Sequence, residues 1–189
     1  TSGGLVPRSG WDGGGTGMAG RVAAGARGEP GERGRMRGPR VSDRQGQGVN
    51  EDVRGAEAAG AGVGCGGGRP AALPDGHCFE MTLLADVTPD MAVASEEIFG
   101  PVLVAIAYED DDDAVRIAND SIYGLSGAVF GAAAQRAVAV GRRIRTGTMS
   151  INGGVWYGAD VPLGGVKQSG IGRETGAAGC EAHPDTTAF

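Results

Sequence analysis

The residues able to do chemistry are few, and the first pair lies just ahead of an apolar run. Glu97 and Phe99 fall within residues 95–102, and the apolar run covers residues 102–107. A carboxylate at such a position can accept hydrogen bonds from sugar hydroxyls, and an aromatic side chain can flank a flat ligand ring. Residue types alone therefore allow a nucleotide-contacting site here without requiring one.

A second group lies in a glycine-rich loop that follows a predicted strand. Asn152 is followed by Gly153 and Gly154, and Trp156 and Tyr157 come shortly after. Two large aromatic side chains in such a loop fit the rim of a substrate site. They fit equally well a plug that covers the hydrophobic core, and the residues leave both interpretations open.

A third stretch, residues 162–174, places four glycines around the single lysine of the chain, Lys167. Glycines at this density indicate close backbone approaches or positive φ angles. Lys167 is well placed to fix either a loop or an anion.

The cysteines and histidines predict neither a disulfide framework nor a metal site. Cys65, Cys78 and Cys180 are widely spaced, and His77 and His183 cannot complete a zinc site with them at any usual spacing. The acidic run at residues 109–113 is typical of the first turn of a helix, where carboxylates complement the helix dipole. We therefore predict no metal ligands.

The glycines at residues 62–68 satisfy a dinucleotide-binding fingerprint only formally, through Gly62, Gly64 and Gly67. That fingerprint should follow a strand and open a helix, so that the helix N-terminus faces the pyrophosphate. Here a helical pattern precedes the glycines and prolines follow them. We interpret the segment as a loop.

The elements that must position these residues alternate between helix and strand. A helical pattern at residues 49–61 carries Val49, Val53 and Ala56 on one side. Beyond it, the patterns predict strands at residues 102–107, 126–130 and 148–151, the first two of them buried, with apolar helical stripes at 114–118 and 134–144. Short links between them imply a parallel sheet with right-handed crossovers, whose chemistry lies at the carboxyl ends of the strands.

An arginine cluster closes the last of these predicted helices. Arg142, Arg143 and Arg145 complement the negative end of the helix dipole, and Gly147 stops the helix. We interpret the cluster as a helix cap and expect no nucleic-acid partner.

Composition divides the chain unevenly. Residues 1–70 hold 22 of the 38 glycines. They carry 10 arginines and 7 acidic residues, a net charge of +3, so residues 71–189 carry −9 and the whole chain −6. Leu5-Val6-Pro7-Arg8 resembles a thrombin cleavage site, so we expect a tag remnant outside the fold. The expected organisation is a remnant at 1–10, a flexible segment at 11–37, a domain at 38–180 and a tail at 181–189.

No apolar run approaches the roughly 20 residues needed to span a bilayer, and no signal-peptide pattern opens the chain. These features predict a cytoplasmic protein without a membrane partner.

Several motifs occur in order and resemble the NAD(P)-dependent aldehyde dehydrogenase family. They are Glu96-Glu97-Ile98-Phe99-Gly100-Pro101-Val102, then Ala118-Asn119-Asp120 with Tyr123-Gly124-Leu125-Ser126, then Gly164-Gly165-x-Lys167-x-Ser169-Gly170-x-Gly172-Arg173-Glu174. The resemblance covers roughly residues 38–180 and is strongest from Thr82 onward. It implies the C-terminal part of that family's catalytic domain, a three-layer α/β fold with a parallel sheet.

The resemblance also implies roles for individual residues. Glu97 would accept hydrogen bonds from the nicotinamide ribose, and Phe99 would pack near the nicotinamide of NAD(P). Asn152, Trp156 and Tyr157 would border the aldehyde pocket. In the family reaction a cysteine forms a thiohemiacetal, hydride passes to NAD(P)+, and a glutamate assists hydrolysis of the thioester.

One departure from the family limits these expectations, because none of the three cysteines stands at the nucleophile's place. We therefore assign no catalytic residue, and expect weak or no NAD(P) binding by this chain alone. Our first hypothesis is a fragment of an aldehyde dehydrogenase that acts with a complementing chain or as a homo-oligomer on a small aldehyde or apolar ligand. The alternatives are a non-catalytic binding or assembly module and a fragment recruited to a different reaction in the old pocket.

Overall fold

The computed structural model describes residues 2–10, 22, 42–73, 77–154 and 158–181 of the 189-residue chain. The chain divides into two compact units, Thr1–Asp110 and Asp111–Phe189. Both combine helices with parallel strands, which confirms the predicted α/β class.

The first unit is built on a four-stranded sheet. Its strands in chain order are β1 (Ser2–Pro7), β2 (Gly62–Cys65), β3 (Thr82–Ala85) and β4 (Val102–Tyr108). Their order across the sheet is β1-β4-β3-β2, with β1, β4 and β3 parallel and β2 antiparallel to β3. All of β3 is buried, and β4 contributes Val104 and Ala105 to the same core. The prediction of a buried strand from residue 102 is confirmed.

Among the described residues, two α-helices with defined bounds accompany this sheet. The longer, α1 (Asp43–Ala58), begins after Ser42, whose hydroxyl accepts a hydrogen bond from the Gln45 amide at 3.4 Å. Its buried residues are Val49, Val53 and Ala56, the side predicted from the 3.6-residue period. The shorter, α2 (Ala92–Ser95), is a single turn.

The N-terminal residues differ from the expectation of a remnant outside the fold. Strand β1 lies alongside β4, with Leu5 opposite Ile106 and Val6 opposite Ala107. A parallel strand as apolar as β4 needs hydrogen-bonding partners on both edges, and β1 supplies them on one edge. The predicted flexible segment at 11–37 falls outside the described residues except at Val22, as does the tail at 182–189.

The glycine segment at 62–68 also differs from the expected loop, since residues 62–65 form β2. Gly66 and Gly67 then adopt positive φ angles of 74° and 99°, and a Cβ at Gly66 would lie 2.3 Å from the Met81 carbonyl oxygen. Gly66 and Gly67 therefore allow the chain to turn tightly where β2 ends. The described residues that follow, 68–73, do not open a helix, so the phosphate-loop geometry is not formed there.

The described residues of the second unit form three helices and four short strands. Their order is α3 (Asp111–Asp120), β5 (Tyr123–Gly124), β6 (Ser126–Val129), α4 (Ala134–Gly141), β7 (Thr148–Ile151), β8 (Val166–Lys167) and α5 (Gly176–Glu181). Strands β6 and β7 are parallel and joined through α4, as predicted. Strands β5 and β8 form a separate antiparallel pair.

Two details of the predicted sheet were wrong. Strand β4 pairs with β1 and β3, whereas β6 and β7 pair with each other, so the described pairings do not join the three predicted strands in one sheet. Strand β6 is not buried: Ser126 and Ala128 are exposed, and Gly127 and Val129 are half-buried. Successive side chains of a strand point to opposite faces, and in β6 one face is exposed to solvent while the other is half-buried.

The acidic run at the start of α3 is held by arginines. Arg136 on α4 contacts Asp111 through two hydrogen bonds of 2.8 Å, Arg143 contacts Asp112 at 2.7 Å, and Arg116 contacts Asp113 at 2.7 Å. Among the described residues no group of acidic, cysteine or histidine side chains is arranged to hold a metal ion. The run is therefore a helix start that also ties α3 to α4.

Candidate functional site

The segment that carries Glu97 and Phe99 runs from the end of α2 to the first residue of β4. The Glu96 amide donates to the Ala92 carbonyl oxygen at 2.8 Å and closes α2. Glu97 is then exposed, Ile98 is buried, and Phe99 is 66% exposed. This alternation anchors the segment through Ile98 and leaves a carboxylate and an aromatic side chain on its solvent side.

Contacts from two other elements fix the backbone of this segment. The Gln45 side-chain amide on α1 donates to the Phe99 carbonyl oxygen at 3.1 Å. Gly100 lies so close to Val49 that a Cβ there would be 2.6 Å from a Val49 methyl group. The Thr82 amide of β3 donates to the Pro101 carbonyl oxygen at 2.9 Å. The segment is therefore held in place before any ligand arrives, which lowers the entropy cost of binding one.

A shallow groove of about 210 Å³ lies next to this segment, between α1 and α2. Its apolar residues include Ala56, Val93 and Ile98, and its rim carries Asp52 and Glu96. Burial, together with the nearby Glu96 and Glu51 carboxylates, raises the pKa of Asp52. None of the described salt bridges involves Glu51, Asp52 or Glu96, so the rim is negatively charged.

In the second unit, Asn152 stands where β7 ends. Its side-chain oxygen accepts from the Gly131 amide at 2.8 Å, and its side-chain nitrogen donates to the Gly131 carbonyl oxygen at 2.9 Å. Its own amide donates to the Val129 carbonyl oxygen at 2.9 Å, and its φ is 53°. The Asn152 side chain thus continues the β6–β7 ladder by one step.

The aromatic pair of this loop, Trp156 and Tyr157, lies outside the described residues, so both the rim and the plug interpretations remain predictions. Glu97 and Phe99 lie together in the first unit, and Asn152 lies in the second.

Lys167 fixes a loop, which is one of the two roles predicted for it. Its ammonium group donates to the carbonyl oxygens of Asn119 at 3.0 Å and Ser121 at 2.8 Å, at the end of α3. A cation at a helix C-terminus satisfies carbonyl groups that have no partner within the helix. Nearby, the Ser169 hydroxyl accepts from the Gly124 amide at 2.9 Å.

The cysteines occupy different environments. Cys78 is buried, Cys65 is half-buried in β2, and Cys180 is exposed on α5. No described pair of them forms a disulfide.

Sequence reasoning predicted Val49 as a buried helix residue but missed its contact with Gly100, and it missed Gln45 and Gly131 altogether; all three position the candidate site residues. Gln45 and Phe99 are 54 residues apart, and no local pattern links them. Gly131 contributes only backbone atoms, so its residue type carries no signal for its partner.

Comparison with known proteins identifies the fold. The family model described as "Aldehyde dehydrogenase family" matches residues 2–188. The chain belongs to the aldehyde dehydrogenase family. The match includes residues 2–10, in agreement with the pairing of β1 in the sheet.

Characterised aldehyde dehydrogenases extend this match. A 3-succinoylsemialdehyde-pyridine dehydrogenase from Pseudomonas is 44% identical over 145 residues, covering 76% of this chain and 30% of its own length. The NADP(+) succinate-semialdehyde dehydrogenase of Deinococcus radiodurans is 43% identical over 152 residues, covering 80% of this chain and 31% of its own length. The chain therefore spans about 30% of the length of these relatives.

Solved aldehyde dehydrogenases agree with the fold. The Mycobacterium tuberculosis enzyme, crystallised with NAD+, superposes with a TM-score of 0.89 at 40% identity, over 96% of this chain and 37% of that one. The betaine aldehyde dehydrogenase of Staphylococcus aureus, also with NAD+, superposes with a TM-score of 0.90 at 37% identity, over 95% of this chain and 36% of that one.

Proposed function

We propose that this chain is the C-terminal part of the catalytic domain of an NAD(P)-dependent aldehyde dehydrogenase, an enzyme that oxidises an aldehyde to a carboxylic acid. The supporting observation is the segment ahead of β4. Glu97 and Phe99 stand exposed on it, while Ile98, Gly100 and the Phe99 carbonyl group fix its backbone. In this assignment the Glu97 carboxylate accepts hydrogen bonds from the nicotinamide ribose and the Phe99 ring packs near the nicotinamide.

NAD(P)+, when bound, supplies a hydride acceptor, and residues of this chain orient it. A fixed carboxylate restrains the ribose, and an adjacent ring excludes water from one side of the nicotinamide. On the substrate side, Asn152 holds the start of the loop that carries Trp156 and Tyr157, which we assign to the border of the aldehyde pocket.

The covalent step belongs to residues that we do not assign in this sequence. We infer from the family motifs that none of Cys65, Cys78 and Cys180 stands for the family's cysteine nucleophile. Cys65 lies within β2. The activity therefore depends on a complementing chain or on further sequence of the same protein. We propose a small aldehyde or apolar molecule as ligand, a homo-oligomer or complementing chain as partner, and the cytoplasm as location. None of the described helices is long and apolar enough to cross a membrane.

A chimera tests this proposal directly. Residues 2–188 would replace the matching segment of the Deinococcus radiodurans succinate-semialdehyde dehydrogenase, which is 43% identical over 152 residues. We expect NADPH formation from succinate semialdehyde. Glu97→Ala should raise the KM for NADP+ by about tenfold or more, because hydrogen bonds to charged groups contribute roughly 1.5–3 kcal/mol.

Glu96→Ala is the matched control, since it removes the neighbouring exposed carboxylate and leaves the closure of α2 by the Glu96 backbone amide intact. It should leave the KM for NADP+ within about twofold, the size of a weak surface effect. An active chimera in which both variants behave alike would refute the role of Glu97. A correctly folded chimera without NADPH formation would refute the proposed function.

A further inference from the structure

The carboxyl ends of β6 and β7 lie side by side, and each is followed by a residue that the ladder positions. Val129 pairs with Ile151 in the last register step, so Phe130 and Asn152 come next on the two strands. Parallel strands in α/β proteins present their ligand-binding residues at this edge.

Backbone hydrogen bonds flank Phe130 on both sides. The Val129 carbonyl oxygen accepts from the Asn152 amide at 2.9 Å. The Gly131 amide and carbonyl groups both pair with the Asn152 side chain, at 2.8 and 2.9 Å. The backbone around Phe130 is therefore fixed by three hydrogen bonds to one residue of the neighbouring strand.

The ring that this arrangement carries is not part of the core. Phe130 is 72% exposed, on the same face of β6 as the exposed residues Ser126 and Ala128. An isolated exposed aromatic side chain is common on proteins. A phenyl ring on a backbone held by three hydrogen bonds, at a strand's carboxyl end, has a fixed point of attachment, which lowers the entropy cost of contacting a ligand there.

We propose that Phe130 is a specificity-determining residue, whose ring forms an apolar wall for the body of the aldehyde. This inference rests on the proposed function, because it identifies the β6–β7 edge with the substrate side of an aldehyde dehydrogenase. It predicts a preference for substrates with an aliphatic chain or ring beyond the carbonyl group.

Unreactive straight-chain amides test the wall in the 189-residue chain itself. Acetamide, butyramide and hexanamide are titrated against the isotope-labelled protein, and amide shifts are followed by NMR. We expect shifts at Gly131 and Asn152 and a dissociation constant that falls about fourfold per methylene group, the factor for burial of a CH₂. Phe130→Ala should weaken hexanamide binding about tenfold or more and leave acetamide unchanged, whereas Phe130→Leu should retain most of the chain-length dependence.

Ile171→Ala is the control, because Ile171 is 98% exposed and belongs to the separate segment that follows β8. Hexanamide binding that is absent, or that survives Phe130→Ala unchanged in a folded protein, would overturn the inference. In the active chimera, the ratio of kcat/KM for hexanal to that for butanal should fall most with Phe130→Ala, less with Phe130→Leu and not at all with Ile171→Ala. If amide binding depends on Phe130 but the chimera is inactive, the apolar site at Phe130 is supported and the dehydrogenase assignment is rejected.

Discussion

Gly100 shows how one residue without a side chain determines the position of its neighbours. The Val49 methyl groups occupy the space that a Cβ at Gly100 would need, at 2.6 and 2.7 Å. Val49 itself is 2% exposed on α1, so it has little freedom to move aside. The approach of α1 to the Glu97–Phe99 segment therefore depends on the absence of a methyl group at one position.

We predict that Gly100→Ala destabilises the protein by about 1–3 kcal/mol, because overpacking forces backbone or rotamer shifts. Urea unfolding followed by circular dichroism measures the change. The control is Gly55→Ala in α1, where a Cβ would meet no atom within 4 Å. That substitution should stabilise the helix by up to about 1 kcal/mol. Equal effects from the two alanines would contradict the packing argument.

For individual residues, the sequence predicted where the candidate site residues lie better than it predicted their hydrogen-bond partners. Glu97 and Phe99 are exposed at the predicted place ahead of β4. The bond between Gln45 and the Phe99 carbonyl group was not predictable, because 54 residues of chain separate them. Asn152 was located but its side-chain partner was not, since Gly131 offers only a peptide group to the amide.

Among the elements, α3 and α4 are joined by charges at the first turn of α3. The Arg136 guanidinium beside Asp111 lowers the pKa of that carboxyl group, and the positive charge of Arg143 acts in the same direction. Arg143 also pairs with Asp112 at 2.7 Å. The Arg136–Asp111 pair therefore connects α4 to the first turn of α3.

We predict that Asp111→Asn lowers stability at pH 7 and that the loss disappears in acid. Because the folded-state pKa of Asp111 lies below its unfolded value, the ionised carboxylate stabilises the fold at pH values above about 4. That contribution is lost as the pH falls through the folded-state pKa. Thermal unfolding of both proteins between pH 7 and pH 3 measures the difference.

Asp120→Asn is the opposing control, because a carboxylate at the C-terminal end of α3 is repelled by the helix dipole. It should leave stability unchanged or raise it. A loss from Asp111→Asn that persists undiminished at pH 3 would show that the effect is not electrostatic.

The element boundaries show why some predictions succeeded. Strand β7 was predicted at its exact bounds, since Gly147 and Gly153 frame a short β-forming run. Strand β1 was missed because its Leu5-Val6-Pro7-Arg8 sequence suggested a cleavage site, and pairing with β4 involves residues about 100 positions away. The single sheet was also overpredicted, because periodicity identifies strands but not their neighbours.

At the scale of the whole molecule, the chain corresponds to about 30% of each characterised relative. We predict that the 189-residue chain alone forms no NAD(P)H from aldehydes, since a covalent catalyst without its nucleophile loses many orders of magnitude in rate. Its NAD dissociation constant should be millimolar or weaker, because one carboxylate and one ring can supply only a few kcal/mol. Absorbance at 340 nm and calorimetric titration measure the two quantities.

Glu97→Ala provides the contrast for the second measurement. A micromolar NAD dissociation constant that survives this substitution would contradict the assignment of the cofactor site. Aldehyde-dependent NAD(P)H formation that is abolished by replacing Cys65, Cys78 or Cys180 would contradict the first expectation.

The thrombin-like sequence at β1 allows the opening of this sheet edge to be measured as a rate of proteolytic cleavage. Of this thrombin-like stretch, Leu5, Val6 and Pro7 pair with β4, with Pro7 opposite Tyr108. The Arg8 guanidinium, just beyond β1, contacts the Glu109 carboxylate. A protease must take such a segment out of the sheet before it can cleave after Arg8. We predict cleavage slower by orders of magnitude than for a free peptide of the same residues, and acceleration by mild urea or by Glu109→Gln. The rate, followed by mass spectrometry, would then report the opening equilibrium of β1 without any label, while peptide-like cleavage in buffer would mean that β1 is rarely in place.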